Sequence, residues 1–276
     1  MRCAWQEFLN LIPPWMRPDV DRLGKNDLQE LRLRLGQAPT LCRRRESVNL
    51  KQDTTVEDLS FIVNAASRFS PWSAATASQG YLSAQGGHRI GMCGEAVVQE
   101  GVMTGIRYIT SVCIRVARDF PGIGEIPSKL EGNILLVGPP GCGKTTLLRD
   151  VARQISQREP VSVVDERGEL FPPGLFEGGQ RLDVLRGCPK KEGIMLVLRT
   201  MGPATIAVDE ITAREDCEAM TEAGWCGVRL VATVHADSLK DLRTRALYRP
   251  LWEKQLFHHV LILDREKNWH EERMAP

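Results

Sequence analysis

The second half of the chain alternates short apolar runs with segments of helical periodicity. Five such runs are NILLVG (133–138), VSVVDE (161–166), TIAVDE (205–210), RLVATVH (229–235) and HHVLILD (258–264). Strands read as continuous apolar runs when helices cover both faces of a parallel sheet. The pattern therefore predicts an α/β domain with a mainly parallel sheet over residues 132–276, with helices that begin at Thr145 and near Glu215.

Residues 1–120 show the pattern of a small mixed α+β domain. ELRLRLG (30–36) alternates leucine and arginine, which is the period of a strand with one buried face. DTTVEDLSFIVNAASRF (53–69) has helical spacing and a capping pair, Thr55 with Asp58. The glycine-rich stretch that follows predicts a meander of strands. Pro and Gly then interrupt every periodicity, and we place a linker at 121–131.

Composition and charge exclude several classes of protein. The chain carries 36 Lys+Arg against 35 Asp+Glu, so no bulk charge attracts it to nucleic acid. Its apolar runs are too short to span a bilayer, and its first residues lack the apolar core of a signal peptide. The 8 cysteines form no C-x-x-C pair, so we expect neither disulfides nor structural zinc, and His258-His259 predicts the start of a strand. We expect a cytoplasmic protein without a nucleic-acid partner.

Residues 138–145, GPPGCGKT, match the phosphate-binding pattern G-x-x-x-x-G-K-[ST] between a predicted strand and a predicted helix. The glycines let the backbone curl around phosphate oxygens, and the helix N-terminus adds a favourable partial charge. Lys144 would reach the β- and γ-phosphates, and the Thr145 hydroxyl would bind Mg²⁺. The predicted binding set for ATP is Gly138, Pro139, Pro140, Gly141, Cys142, Gly143, Lys144, Thr145 and Thr146.

The run TIAVDE supplies the carboxylates that a phosphate-binding loop needs for hydrolysis. Asp209 and Glu210 stand at the end of this strand, where a Walker-B carboxylate belongs. Asp209 is predicted to hold Mg²⁺, and Glu210 to orient and deprotonate the attacking water. The alternative is a charged pair at a surface loop.

Two further strand ends carry polar groups. VSVVDERGEL places Asp165-Glu166 after one strand, and RLVATVH places His235 at the end of another. Ligands gather at the carboxyl ends of the strands in an open parallel sheet, so these groups could converge on one nucleotide. Two alternatives stay open: Arg167 could form a salt bridge with Asp165-Glu166, and His235 could be a capped loop histidine.

The order of these motifs resembles that of the hexameric ATPases of type II and type IV secretion systems and pilus motors. More closely, the chain resembles the stage III sporulation protein AA family of spore-forming bacteria. The segments that carry this resemblance are GGHRIGMCGEAV (86–97), PPGCGKTTLLRD (139–150), VVDERGEL (163–170), RLDVLRGCPKKEGIMLVLRTMGPATIAVDEI (181–211) and ATVHA (232–236). They extend over most of residues 80–240, whereas residues 1–79 match only in outline.

The resemblance implies a RecA-like ring ATPase whose N-terminal domain closes over a neighbour's nucleotide. It makes Lys144 and Thr145 ligands of the phosphates, Glu166 the acidic-box residue, Glu210 the catalytic carboxylate and His235 the histidine-box residue. In the wider class, arginines of the N-terminal domain sense the γ-phosphate, and the candidates here are Arg89, Arg107, Arg115 and Arg118, with Arg115 as our choice of catalytic residue.

The resemblance also implies a place of action and partners. The family's implied role is to energise a channel assembled across the membranes between mother cell and forespore. The expected partners are further copies of the chain in a hexameric ring and membrane-embedded channel proteins of a sporulation secretion complex. The protein would then lie at the inner face of a membrane, on the mother-cell side.

Three competing functions have weaker support. FEGGQR (176–181) mimics the signature loop of ABC-type ATPases, but Glu177 stands where that loop needs a serine. A GTPase would carry an N-K-x-D motif, which the sequence lacks. The remaining alternative is a nucleic-acid-binding P-loop ATPase or adaptor, supported by RRR at 43–45 and the arginine-rich strand at 30–35, without interleaved aromatic residues.

Overall fold

The computed structural model describes residues 1–43, 46–67, 80–172 and 178–272. The chain divides into two compact units. The first consists of Met1–Asp119 with Pro172–Phe176, and the second of Phe120–Phe171 with Glu177–Pro276.

The first unit is built on a six-stranded sheet in which all neighbouring strands are antiparallel, in the order β3-β2-β1-β6-β5-β4. The strands are β1 (Leu28–Arg34), β2 (Gln37–Arg43), β3 (Ser47–Asn49), β4 (Tyr81–Ser83), β5 (Arg89–Gln99) and β6 (Val102–Arg115). The helices are α1 (Trp5–Leu11), α2 (Arg17–Leu23) and α3 (Val56–Ser67), with 3₁₀ turns at Pro14–Met16 and Gln85–Gly87.

Local sequence explains the main elements of this unit. In β1 the side chains of Leu31 and Leu33 are buried in the apolar core, whereas Arg32 between them is not. At the start of α3, Asp58 N donates to Thr55 Oγ1 at 3.2 Å, and Thr55 N donates to Asp58 Oδ2 at 2.9 Å. The expected strand and the expected capping pair are therefore confirmed. Of the arginine run at 43–45, Arg43 pairs with Asp27 and Glu46, and the other two arginines lie outside the described residues.

The second unit is built on a seven-stranded sheet in the order β13-β12-β7-β11-β10-β8-β9. All pairs are parallel except β12 with β13. The strands are β7 (Ile134–Gly138), β8 (Val161–Asp165), β9 (Leu182–Arg186), β10 (Thr205–Val208), β11 (Arg229–His235), β12 (His259–Leu263) and β13 (Trp269–Glu272). The helices are α4 (Glu125–Ser128), α5 (Lys144–Ile155), α6 (Lys190–Thr200), α7 (Arg214–Trp225), α8 (Leu239–Thr244) and α9 (Arg249–Glu253), with a 3₁₀ turn at Ala246–Tyr248.

The expected mainly parallel sheet is confirmed, and the five apolar runs form β7, β8, β10, β11 and β12. Strand β7 lies between β11 and β12, and all of its residues are buried, as its uninterrupted apolar sequence requires. The sequence did not predict β9 or β13, which are the two edge strands of the sheet. Within the described ranges, no helix combines the length and the apolar character needed to cross a bilayer.

The segment 121–131, expected to be a linker, belongs to the second unit and contains α4. The carboxylate of Asp150, an interior residue of α5, accepts hydrogen bonds from Gly122 N at 2.8 Å and Gly124 N at 2.7 Å. Asp150 is 1% exposed and also pairs with Arg153. These contacts attach the segment 121–131 to α5, the helix that follows the loop at 138–145.

His88 is a buried histidine in the first unit with both ring nitrogens hydrogen-bonded. Ala117 N donates to His88 Nδ1 at 3.1 Å, so Nδ1 carries no proton. The proton therefore lies on Nε2, which donates to Ala4 O at 2.9 Å. Burial lowers the pKa of His88, because an imidazolium would lose its hydration there. If Nδ1 were protonated, its N–H would face the Ala117 N–H, and this hydrogen bond would be lost.

We predict that the first unit loses stability as the pH falls below about 6.5, the ordinary pKa of histidine. The unfolded chain then binds a proton that folded His88 resists, so the free energy of unfolding falls until the pH reaches the lowered folded pKa. Hydrogen-exchange protection of peptides from residues 1–20 and 80–118, corrected for intrinsic exchange rates, would report this loss. His88→Gln should remove most of the pH dependence, and an equal slope in both proteins would contradict the assignment.

Candidate functional site

The glycine-rich loop at 138–145 joins β7 to α5. Gly141 and Gly143 have φ angles of +77° and +99°, a backbone region that side chains with a Cβ rarely adopt. Helix α5 begins at Lys144, so Thr145 and Thr146 lie in its first turn. The loop therefore has the strand–loop–helix setting that the sequence predicted.

Lys144 is 5% exposed and points its ammonium back across the loop. Its Nζ donates to the carbonyl oxygens of Gly138 at 2.7 Å and Pro139 at 2.9 Å, and to His235 Nδ1 at 2.9 Å. Burial lowers the pKa of Lys144, and the nearby carboxylates of Asp209 and Glu210 oppose this shift. The loop and the ends of β10 and β11 therefore form one electrostatic environment.

Thr233 contacts both acidic residues that follow β10. Its Oγ1 donates to Asp209 Oδ1 at 2.6 Å and accepts from Glu210 N at 2.7 Å. Glu210 adopts a φ of +50°, which is uncommon for a residue with a side chain and is held here by this hydrogen bond. Thr233 was not predicted as a site residue, although a threonine inside the otherwise apolar run RLVATVH was a usable signal, and its side chain is fully buried in the structure.

His235 lies between Lys144 and Glu210. Because an ammonium can only donate, His235 Nδ1 accepts and the proton lies on Nε2. Nε2 is 3.2 Å from Glu210 Oε1. Burial and the charge of Lys144 lower the pKa of His235, which favours the neutral ring. The structure therefore brings together three of the predicted site residues in the series Lys144, His235, Glu210.

The two acidic-box residues have different environments. Asp165 is 1% exposed, and its carboxylate accepts the backbone N–H groups of Glu169, Leu170 and Phe171. Burial raises the pKa of Asp165, although the hydrogen bonds from Phe171 and Leu170 act in the opposite direction. Asp165 therefore shapes the loop, whereas Glu166 projects from it and pairs with Lys190. The sequence alternative in which Arg167 bridges Asp165-Glu166 is wrong, because Arg167 Nη1 lies 2.6 Å from Glu210 Oε2.

A cleft joins these groups at the carboxyl edge of the sheet, lined by Asp165, Glu166, Arg167, Lys190, Asp209 and Glu210. Lys190 was missed in the sequence analysis. It is 6% exposed at the first residue of α6, where the helix dipole disfavours a cation, and Glu166 and Asp216 provide the compensating charges. In the described parts of the chain, no group of three or more His, Cys, Asp or Glu side chains is arranged to hold a metal ion by itself.

The four candidate arginines of the first unit have different partners. Arg107 pairs with Glu95 at 2.5 Å, and Arg115 pairs with Glu30 at 3.2 Å. The Arg89 guanidinium lies 3.9 Å from the centre of the Tyr81 ring, and Arg118 donates to the carbonyl oxygens of Lys25 and Leu28. Arg89 is paired directly opposite Arg115 in the β5–β6 ladder. The trans role of any of them stays a prediction. In FEGGQR, Phe176 and Glu177 lie outside the described residues.

Comparisons with solved structures concern the fold. The X-ray structure of the Legionella pneumophila ATPase DotB matches with a TM-score of 0.61 and 16% identity, over 91% of this chain and 76% of that one. The pilus retraction motor PilT, crystallised with ADP, matches with a TM-score of 0.60 and 16% identity, over 89% of this chain and 76% of PilT. The chain therefore has an α/β fold similar to that of these ATPases.

Comparisons of sequence concern the family. Stage III sporulation protein AA of Bacillus subtilis (strain 168) is 36% identical over 282 aligned residues, which cover 95% of this chain and 91% of that protein. The family model described as "Sporulation stage III, protein AA" matches residues 17–273. On both findings, the chain belongs to the sporulation stage III protein AA family.

Proposed function

We propose that this chain is a Mg²⁺-dependent ATPase that forms a ring and energises a sporulation-associated transmembrane channel. The observation that carries the proposal is the series Lys144, His235 and Glu210 at the carboxyl edge of a parallel sheet, in which Lys144 is hydrogen-bonded to His235 and His235 Nε2 lies 3.2 Å from Glu210 Oε1. A phosphate-binding lysine and a strand-end carboxylate in one cluster are the parts that nucleoside triphosphate hydrolysis requires. The second unit would then be a RecA-like ATPase domain, and the first unit a separate N-terminal domain.

The phosphates of ATP fit the environment of Lys144. Its Nζ is hydrogen-bonded to two loop carbonyls and a neutral imidazole, all of them uncharged acceptors. A phosphate oxygen carries a full negative charge and is a stronger partner for an ammonium. ATP would therefore bind with its β- and γ-phosphates in the loop 138–145, at the N-terminus of α5.

The residues present also fit Mg²⁺. Thr145 offers a hydroxyl in the first turn of α5, and Asp209 offers a carboxylate whose orientation Thr233 fixes. Mg²⁺ in phosphate sites is bound by one or two such oxygen ligands, together with phosphates and water. When bound, the ion neutralises negative charge on the phosphates.

In the proposed reaction, Glu210 accepts a proton from the water that attacks the γ-phosphorus, the bond from the γ-phosphorus to the bridging oxygen breaks, and ADP is the leaving group. The Thr233 hydrogen bond holds the Glu210 backbone in its unusual conformation and so fixes the direction of the carboxylate. His235 orients one carboxylate oxygen, and Lys144 contacts the phosphates. Glu166, which lines the same cleft and pairs with Lys190, is the second candidate for the base.

The ring and the cellular role rest on family membership and on fold similarity to DotB and PilT. We propose that copies of the chain form a hexamer and that an arginine of the first unit, Arg115 by preference, senses the γ-phosphate bound by a neighbouring subunit. The proposed partners are membrane-embedded channel proteins, contacted from the mother-cell side of the membrane.

Lys144→Ala should strongly weaken the binding of Mg-ATP. A hydrogen bond to a charged group contributes about 1.5–3 kcal/mol, so its loss weakens affinity by about 10- to 100-fold. Thermal-shift titration with Mg-ATP is the measurement. The matched control is Lys129→Ala, which removes an exposed lysine paired with Glu125 in the same unit. Equal stabilisation of Lys144→Ala and wild type would overturn the loop assignment.

Glu210→Gln should retain Mg-ATP binding and lose hydrolysis by about 10²–10⁴-fold, the usual contribution of a positioned general base. Phosphate release at saturating ATP, beside a direct binding isotherm, separates the two effects. Asp209→Asn should instead weaken the Mg²⁺ dependence of binding. Glu218→Gln, which removes an exposed charge paired with Arg214, is the control. Wild-type hydrolysis in Glu210→Gln would move the base to Glu166.

Arg115→Ala should leave nucleotide binding nearly intact and reduce hydrolysis by up to roughly 10³-fold, by analogy with arginine fingers. Mixing this variant with Glu210→Gln protein should restore activity at hybrid interfaces, because each variant supplies the group that the other lacks. Arg34→Ala, an exposed arginine of the same sheet, is the control. An absence of rescue at every mixing ratio, with Arg89, Arg107 and Arg118 also tested, would favour a site contained in one subunit.

A further inference from the structure

Both carboxylate oxygens of Glu210 are engaged by donors. Oε1 is 3.2 Å from His235 Nε2, and Oε2 is 2.6 Å from Arg167 Nη1. The guanidinium occupies one lone-pair direction of Oε2 and competes there with a water molecule. Release of one of the two donors would therefore make Glu210 more accessible to water.

The two donors differ in how firmly they are held. His235 is fixed at Nδ1 by Lys144, and its carbonyl oxygen accepts from Arg245 Nη1 at 2.8 Å. The Arg167 side chain is 51% exposed, and Glu210 is its only hydrogen-bond partner within the described part of the chain. Arg167 is therefore the donor that can move at lower cost.

The backbone that carries Arg167 is anchored to the glycine-rich loop through α5. Arg149, an interior residue of α5 that is 6% exposed, donates to the carbonyl oxygens of Glu169 and Leu170. The Asp165 carboxylate binds the backbone N–H groups of the same turn. The Arg167 side chain can thus change partner while its Cα stays at a fixed distance from the loop.

We propose that Arg167 is a ligand of the terminal phosphate of a nucleoside triphosphate, and that it leaves Glu210 when this phosphate binds. The inference rests on the proposed function. A guanidinium binds phosphate through two parallel N–H groups, and a γ-phosphate carries more negative charge than one carboxylate. The exchange would free Glu210 Oε2 for the attacking water. A diphosphate offers no such acceptor, so Arg167 would remain on Glu210.

The test is isothermal titration of the full chain with Mg-AMP-PNP and with Mg-ADP. Arg167→Ala should weaken AMP-PNP binding about 10-fold and should leave ADP binding unchanged. This factor is at the lower end for a hydrogen bond to a charged group, because the Arg167 side chain is half exposed. Arg167→Lys should recover part of the loss. The matched control is Arg214→Ala, which breaks an exposed Arg–Glu pair on α7.

A second measurement uses a variant of Glu210, the residue with which Arg167 pairs in the structure. Glu210→Gln weakens the contact that holds Arg167, so the AMP-PNP affinity should rise more in the presence of Arg167 than in an Arg167→Ala background. Unchanged AMP-PNP affinity in Arg167→Ala, an equal loss for both nucleotides, or a gain for AMP-PNP would each overturn the inference. A wild-type chain that binds neither nucleotide would overturn the proposed function itself.

Discussion

The register of four parallel strands is the constraint on which the candidate site depends. In the pairing of β11 with β7, His235 lies opposite Gly138, the first residue of the glycine-rich loop. Strand β10 pairs with β11 and with β8 so that Val208 lies opposite Ala232 and Val164. The polar residues that follow these strands therefore emerge at one edge of the sheet. A slip of one residue in the pairing of β11 with β7 would turn His235 and the Thr233 hydroxyl to the opposite face.

Much of this arrangement could be predicted from the sequence, because periodicity and motif spacing are local properties. The five apolar runs and the loop at 138–145 are examples. The edge strands β9 and β13 escaped prediction because their residues are only partly buried and lack an uninterrupted apolar run. The partners of the charged groups could not be predicted from the sequence for a different reason. Arg167 is adjacent to Glu166 in sequence, yet it pairs with Glu210, 43 residues away.

Several residues of the site are buried polar groups whose role is to position others. Thr233 fixes the Asp209 carboxylate and the Glu210 backbone, Asp165 shapes a loop, and Lys190 holds Glu166 next to the start of α7 through Asp216. Buried ion pairs contribute little net stability, because the loss of hydration offsets most of their attraction. Their value here is geometric, since these contacts hold the loops and helix starts at this edge of the sheet in a single arrangement. Such pairings depend on tertiary structure, and residue type alone does not reveal them.

The charge balance of the cleft gives these pairings a further meaning. Four carboxylates and two cations line the cleft. Lys144 lies beside the cleft, and His235 stands between Lys144 and Glu210. A bound nucleoside triphosphate would add several negative charges and compete for the cations. The carboxylates that release a cation to the phosphates become available as bases or metal ligands, and those that keep theirs remain structural. The exposure of the cation separates these two classes of carboxylate. Arg167 is half exposed and can change partner. Lys190 is buried and cannot change partner without leaving the charges of Glu166 and Asp216 uncompensated. If the proposed function holds, the same ion pairs that organise the cleft would also determine which carboxylate a phosphate can activate.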